Sequence, residues 1–166
     1  ETVAMEDVRR QFETNVFGLI RMSQLVLPGM REQRAGRIVN IGSMGGKLSF
    51  PGGGIYHATK YAVEAISDVL RFEVSNFGVK VVLVEPGLIK TNFADAALSH
   101  MDTPSQTDGA YDDFNAAVAK NTAAVYENPL YVRLGGGPDD VAKVIEKAIM
   151  SDKPKTRYPV TVSAYA

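Results

Sequence analysis

The fold of this chain is decided by residues 36–60, which read GRIVNIGSMGGKLSFPGGGIYHATK. Residues 37–41 are a short run rich in β-branched side chains, without polar alternation, and predict a strand buried on both faces. Residues 44–54 hold six glycines or prolines and predict a loop. Apolar residues at helical spacing then predict a helix from about residue 55 to residue 76, which Gly78 is expected to end.

Helices and strands alternate over the rest of the chain as well. In chain order, we predict a helix over residues 6–33 that Pro28 kinks or restarts and Gly36 ends, a buried strand over 79–85 closed by Pro86-Gly87, helices over 111–126 and 138–151, and a strand over 158–162. Helices between successive strands are typical of an α/β fold with a parallel sheet. Ligands of such sheets bind outside the carboxyl ends of the strands, so function is expected at Ser43 and at residues 86–91.

Composition and charge exclude several classes of protein. The 166 residues are 45% hydrophobic and 22% charged, which is typical of a folded globular domain and not of a disordered chain. The formal net charge of −1 indicates neither a nucleic-acid nor a membrane-surface binder. The absence of cysteine and the presence of only two histidines exclude disulfides and argue against a metal site. With no apolar run of about 18 residues and no opening signal segment, the expected location is cytoplasmic.

Tyr56 and Lys60 lie four residues apart, which places a phenol and an ammonium on one face of a helix. A free tyrosine has a pKa near ~10, and a nearby cation favours phenolate, so Lys60 is expected to bring the pKa of Tyr56 toward the working pH. Ser43 follows the preceding strand, where its hydroxyl could bond a substrate oxygen. Taken singly, each residue has an ordinary structural explanation, as a surface pair or as a turn residue.

Together these residues form a more specific pattern. Its motifs are Gly42-Ser43, Tyr56-x-x-x-Lys60, Glu85-Pro86-Gly87-x-x-x-Thr91 and, twenty-eight residues before Ser43, Asn15 within Thr14-Asn15-Val16-Phe17-Gly18. In this order and at these spacings, the chain resembles the catalytic half of a single-domain short-chain dehydrogenase/reductase. The resemblance implies the carboxyl-terminal half of a Rossmann-like doubly wound parallel sheet, and an enzyme that uses NAD or NADP to interconvert a secondary alcohol and a carbonyl.

The resemblance also implies roles for individual residues. Tyr56 would be the general acid in reduction and the base in oxidation, and Lys60 would lower its pKa and bond the nicotinamide ribose. Ser43 would hold and polarise the substrate oxygen. Asn15 would anchor, through its backbone in a kinked helix, a water that links Lys60 to solvent. The remaining cofactor contacts would come from Pro86 and Gly87 against the nicotinamide ring, and from Ile89 and Thr91 to its carboxamide.

Part of the family's pattern is missing from the sequence. No Gly-x-Gly-x-x-Gly stands between a strand and a helix, so the element that holds the pyrophosphate is not present. The residue that chooses between NAD and NADP is missing too, and the chain predicts only three strands of the six or so in such a sheet. We therefore expect residues 1–166 to be the carboxyl-terminal catalytic portion of one NAD(P)-binding domain, whose amino-terminal half lies outside this sequence.

Substrate, partners and neighbouring side chains are less constrained. Residues 88–137 occupy the position of the family's substrate lid, and their apolar side chains suit either a lipophilic substrate or plain packing. The stretch from Pro154 to Val160 is similar to the closing strand of the steroid- and retinol-type branch. His57 is expected on the solvent side, Tyr61 in packing, and His100 in the lid.

Two other functions stay open at this point, and the resemblance adds an expectation about assembly. One alternative is a nucleotide-sugar epimerase or dehydratase, which shares Tyr-x-x-x-Lys, and the other is a non-catalytic NAD(P)-binding protein, since fold alone does not prove activity. By analogy with the family, the helices at 6–33 and 56–76 are expected to pair subunits into a homodimer or homotetramer. The expected ligand is a small molecule.

Overall fold

The computed structural model describes residues 3–92 and 109–165. Its main elements, in chain order, are α1 (Met5–Phe12), a π-helical segment (Glu13–Phe17), α2 (Gly18–Glu32), β1 (Gly36–Ile41), α3 (Gly54–Val74), β2 (Val79–Glu85), α4 (Asp112–Glu127), α5 (Pro129–Leu134), α6 (Pro138–Met150) and β3 (Arg157–Pro159). Short 3-10 turns at Met44–Gly46, Ser75–Phe77 and Val162–Tyr165 connect or close these elements.

The three strands form one parallel sheet in the order β1-β2-β3. Successive side chains of β2 point to opposite faces, so Val79 and Val81 pack under α2 and α3, whereas Val82 and Val84 pack under α6. Both faces of the sheet are therefore covered by helices, which explains why the strands are apolar without alternation. The α/β fold with a Rossmann-like parallel sheet is confirmed.

The predicted first helix is present, but a π-helical segment interrupts it at Glu13–Phe17. The backbone N–H of Gly18 donates to the carbonyl oxygen of Glu13, five residues earlier. A Cβ at position 18 would lie 3.2 Å from that oxygen, so a glycine relieves the crowding where the α-helix resumes. Such single π turns are frequent at functional sites, and this one contains Asn15.

One predicted helix boundary is wrong in detail. The helix that contains Pro28 continues through the proline to Glu32, so no new helix begins there. Its end is made by Arg34, which takes a left-handed φ of 54°, and Gly36 instead begins β1. Gly78 ends the other long helix as predicted, with a φ of 73° that a glycine adopts without strain.

The carboxyl-terminal third follows the predicted order with shorter strand structure. β3 covers Arg157–Pro159 rather than residues 158–162, and a 3-10 turn takes up the remainder. At the base of the predicted lid, the N–H of Lys90 donates to Gly136 and the N–H of Gly136 donates to Leu88, each at 2.9 Å. Residues 93–108, including His100, lie outside the described residues. Within residues 3–92 and 109–165, none of the helices has the length and apolar character needed to cross a bilayer.

Candidate active site

α3 presents Tyr56 and Lys60 on one face, as their spacing predicts. The ammonium nitrogen of Lys60 lies 5.8 Å from the centre of the Tyr56 ring. It also donates a hydrogen bond of 3.0 Å to the carbonyl oxygen of Ile41, the last residue of β1. This hydrogen bond links α3 to the carboxyl end of β1.

Ser43 stands two residues beyond β1 and joins the same group. Its Oγ accepts the backbone N–H of Gly45 at 3.0 Å, and its hydroxyl acts on the Tyr56 phenol by lowering the pKa of that group. The N–H of Met44 donates to the carbonyl oxygen of Pro86 at 2.9 Å, which fixes this loop beside the end of β2. Ser43, Tyr56 and Lys60 are thus brought together at the carboxyl edge of the sheet, where the strand order places ligands.

The pKa of Tyr56 shifts in the direction opposite to the one expected from the sequence. Burial raises the pKa of this phenol because the charged form loses solvation, and the hydrogen bond from Ser43 only partly offsets the rise. Burial likewise lowers the pKa of Lys60. In this structure the ammonium binds the Ile41 carbonyl, and burial is the largest influence on the pKa of the phenol. A raised pKa favours the protonated phenol, which is the form that can donate a proton.

Asn15 reaches this group from the π-helical segment. Its Nδ2 donates to Oγ1 of Thr59 at 3.1 Å, and that hydroxyl in turn donates to the carbonyl oxygen of Tyr56 at 2.7 Å. Asn15 and Lys60 also line an open cleft of about 470 Å³ that runs along β1. Thr59, which is fully buried, has a place in the site that the sequence analysis missed, although it directly precedes Lys60.

The turn after β2 is held in place by Thr161 and Ser163. A Cβ at Gly87 would collide with the hydroxyl oxygens of Thr161 and Ser163, so only glycine fits this close approach. The N–H of Leu88 donates to Oγ of Ser163 at 2.9 Å. Ile89 pairs with Gly136 as an isolated parallel bridge. The segment from Gly87 to Ile89 is therefore fixed on one side by Thr161 and Ser163 and on the other by Gly136.

With this geometry known, comparison with known proteins identifies the family. Residues 1–102 match the family model described as short chain dehydrogenase. The chain belongs to the short-chain dehydrogenase family.

Named relatives agree with this membership. Over 166 residues the chain is 36% identical to an uncharacterized oxidoreductase, YbbO, of Escherichia coli K12, covering 99% of this chain and 54% of that protein. Over 95 residues it is 46% identical to a 3-ketodihydrosphingosine reductase of Bacteroides thetaiotaomicron, covering 57% of this chain and 35% of that protein. The solved closed form of a serine dehydrogenase in complex with NADP+ superposes with a TM-score of 0.68 at 27% identity, covering 95% of this chain and 56% of that one. The chain thus spans about half the length of such relatives.

Near the site lies a group of charged side chains in contact with one another, which the sequence does not predict. Glu85, at the end of β2, is 1% exposed, and its Oε1 contacts Lys47 Nζ at 2.8 Å and Arg157 Nε at 3.2 Å. Arg157 also contacts Glu64 at 3.1 Å and Asp68 at 2.6 Å, both on α3. Burial raises the pKa of Glu64 first of all, with the negative charge of Glu85 adding to the rise and the Arg157 hydrogen bond opposing it. We call these five residues the ionic cluster.

His57 is buried, whereas the sequence predicts that it is exposed. It was expected on the solvent side, but its residue surface is only 7% exposed. Both ring nitrogens make hydrogen bonds to the loop between β1 and α3, to Gly45 and to Phe50. The helical spacing predicts the helix correctly, but the loop between β1 and α3 folds back over the face of α3 that carries His57 and covers it. Tyr61, expected in packing, is 44% exposed and donates its hydroxyl to Lys47.

Proposed function

We propose that the full-length protein is an NAD(P)-dependent oxidoreductase that interconverts a secondary alcohol and a carbonyl, with Tyr56 as the acid and base. The observation that carries this proposal is the Lys60 ammonium 5.8 Å from the centre of the Tyr56 ring, beside Ser43, whose hydroxyl lowers the pKa of the phenol. Two hydroxyl groups that meet at the carboxyl edge of a parallel sheet can hold one substrate oxygen between them. A purely structural pair would not need a cation beside it.

The proton chemistry follows from the environment of Tyr56. In the reducing direction, Ser43 donates a hydrogen bond to the carbonyl oxygen while Tyr56 gives its proton to that oxygen as charge develops there. A phenol whose pKa is raised by burial is present as the acid before the reaction. In the oxidising direction, Tyr56 must start as a phenolate and take up the alcohol proton. The nearby ammonium of Lys60 stabilises that phenolate before the proton is transferred.

The residues present fit a nicotinamide cofactor, which would supply or accept the hydride. Lys60 lies half-buried at the edge of the cleft along β1, and an ammonium has three N–H donors, of which the Ile41 carbonyl takes one. It would hold the ribose hydroxyls. Pro86 and Gly87 would pack against the nicotinamide ring, with Gly87 held close to Thr161 and Ser163. Ile89 and Thr91 would lie toward the carboxamide of the nicotinamide. The NADP+ complex of serine dehydrogenase supports this assignment.

Replacing Lys60 by alanine is expected to damage both cofactor binding and rate. Loss of a charged hydrogen bond to the ribose costs about 1.5–3 kcal/mol, so the dissociation constant of the cofactor should rise by about 10- to 100-fold. Loss of the cation beside Tyr56 should also lower kcat by about 10²-fold or more. Lys143→Ala, an exposed lysine of α6, is the matched control. The measurement is cofactor titration by fluorescence together with steady-state rates, and a normal cofactor affinity in Lys60→Ala would remove the ribose contact.

A lipophilic carbonyl compound or alcohol is the substrate class we propose. The similarity to a 3-ketodihydrosphingosine reductase, whose name specifies a ketone on a long-chain base, supports this choice. The stretch that ends in β3 and resembles the steroid- and retinol-type branch supports it as well. A nonpolar substrate would be drawn into the site by about 0.8 kcal/mol for each methylene group buried.

Exposed apolar side chains on two helices support a homodimer or homotetramer. Met22 and Leu25 on α2 are 61% and 57% exposed, and Val69 and Phe72 on α3 are 57% and 84% exposed. Association with a second chain would bury exposed apolar side chains of this kind. We expect light scattering of the full-length protein to give the mass of two or more chains, and Phe72→Glu to reduce it. Phe114→Glu, at an exposed position of α4, should leave the mass unchanged, whereas a monomeric wild type would refute the assembly.

A further inference from the structure

His57 directly follows Tyr56, yet the proposed chemistry assigns it no role. Its Nε2 lies 3.1 Å from the backbone nitrogen of Phe50, and its Nδ1 lies 2.9 Å from the carbonyl oxygen of Gly45. A backbone N–H only donates, so Nε2 must accept, and a neutral imidazole then carries its hydrogen on Nδ1. Nδ1 therefore donates to Gly45, and the imidazole is satisfied at both nitrogens in one tautomer.

The loop is shaped around the imidazole ring. A Cβ at Gly45 would lie 2.8 Å from Nδ1, and a Cβ at Gly53 would lie 2.8 Å from Nε2. Both glycines therefore permit contacts that an alanine would not. The ring also meets the Tyr56 ring edge-on, with centroids 5.7 Å apart, and the Phe50 ring at 5.6 Å. The imidazole thus touches the reactive phenol on one side and both ends of the loop on the other.

The peptide of Gly45 connects this imidazole to Ser43. Its N–H donates to Ser43 Oγ at 3.0 Å, and its carbonyl oxygen accepts from His57. Ser43 in turn influences Tyr56, the chain neighbour of His57, by lowering the pKa of its phenol. The contacts therefore connect Ser43 through the peptide of Gly45 to His57, whose ring meets the Tyr56 ring.

We propose that His57 is a positioning residue, which sets the Ser43 hydroxyl against the Tyr56 phenol through the peptide of Gly45. The proposal rests on the proposed function, since it concerns the alignment of that site. A displacement of about 1 Å in a catalytic pair can cost about 10²-fold in rate. A group whose role is alignment acts on kcat, whereas a group that only supports the fold acts on stability and on cofactor affinity.

Substitutions of His57 by residues with amide side chains test the two hydrogen bonds of the imidazole one at a time. In His57→Asn the amide NH₂ can take the place of Nδ1–H and keep the bond to Gly45. In His57→Gln the amide oxygen can take the place of Nε2 and keep the bond to Phe50, while the bond to Gly45 is lost. We expect kcat of the full-length protein to fall by about 10-fold or more in His57→Gln and to stay within about 3-fold in His57→Asn.

A second pair of variants tests the same contact without changing the imidazole. Gly45→Ala places a methyl group 2.8 Å from Nδ1 and 3.2 Å from Cε1 of Tyr56, so it should lower kcat at least as much as His57→Gln does. Gly54→Ala is its control, because a Cβ at that position has no atom within 4 Å among the described residues. Melting temperature and cofactor affinity are measured alongside the rates in every variant.

Loss of kcat in His57→Gln and Gly45→Ala, with cofactor affinity retained and with His57→Asn and Gly54→Ala active, would support the proposal. Unchanged kcat in His57→Gln would overturn it. Equal losses in His57→Asn and His57→Gln, or losses matched by lower melting temperature and weaker cofactor binding, would also overturn it in favour of a purely structural role. An inactive wild type would instead be a failure of the proposed function.

Discussion

We expect Tyr56→Phe to lower kcat of the full-length protein by about 10³-fold, within the range that general acid catalysis contributes. The substitution removes one hydroxyl and keeps the ring, so the edge-on contact with His57 remains. What is lost is the proton donor and the interaction of the phenol with the Ser43 hydroxyl. Cofactor affinity should change little, because Lys60 keeps its place on β1.

Tyr61→Phe is the matched control for this experiment. Tyr61 lies on the same helix, is 44% exposed, and donates its hydroxyl to a backbone carbonyl of Lys47 rather than to the site. Removing its hydroxyl should leave kcat within a few-fold of the wild type. Turnover retained within a few-fold in Tyr56→Phe would remove Tyr56 from the acid and base role, whatever the control shows.

The largest expected effect on stability comes from Arg157→Met. This guanidinium contacts three carboxylates of the ionic cluster, on Glu85, Glu64 and Asp68. Its loss leaves Glu85 buried beside Lys47 alone, and breaking a buried ion pair on one side costs about 3–5 kcal/mol. Because Lys47 remains and Arg157 is itself 32% exposed, we expect the free energy of unfolding to fall by about 3 kcal/mol.

Denaturant unfolding of the full-length protein, followed by circular dichroism, measures this change. Arg133→Met, an exposed arginine of α5, should change the free energy of unfolding by no more than about 0.5 kcal/mol. Adding Glu85→Gln to Arg157→Met should recover part of the loss, since it removes the buried charge that was left uncompensated. A loss below about 1 kcal/mol in Arg157→Met would show that water or Lys47 already compensates Glu85.

The local parts of the site could be predicted because their geometry follows from spacing in the sequence. A separation of four residues places Tyr56 and Lys60 on one helix face, and a buried strand that ends at Ile41 places Ser43 at the edge of the sheet. The structure confirms both placements. The roles assigned to these residues, and to Asn15, stay predictions.

Features that depend on distant pairing could not be predicted in this way. Glu85 was read as a strand residue, and its partner Arg157 is 72 residues away with no periodicity to connect them. His57 was placed toward solvent because a helical pattern does not show how a glycine-rich loop folds back over a helix. The predicted direction of the pKa shift of Tyr56 is also wrong, since the spacing of Tyr56 and Lys60 does not show how far the phenol is buried.

The most direct test of oxidoreductase function is the initial rate of nicotinamide absorbance change with the full-length protein. NADH and NADPH are each offered with a panel of ketones, aldehydes, steroids and retinoids, and the Tyr56→Phe variant is run in parallel. We expect a substrate-dependent rate with at least one lipophilic carbonyl compound, and its loss in the variant. Cofactor binding without a substrate-dependent rate for any pair would contradict it and would favour an epimerase-like or non-catalytic protein.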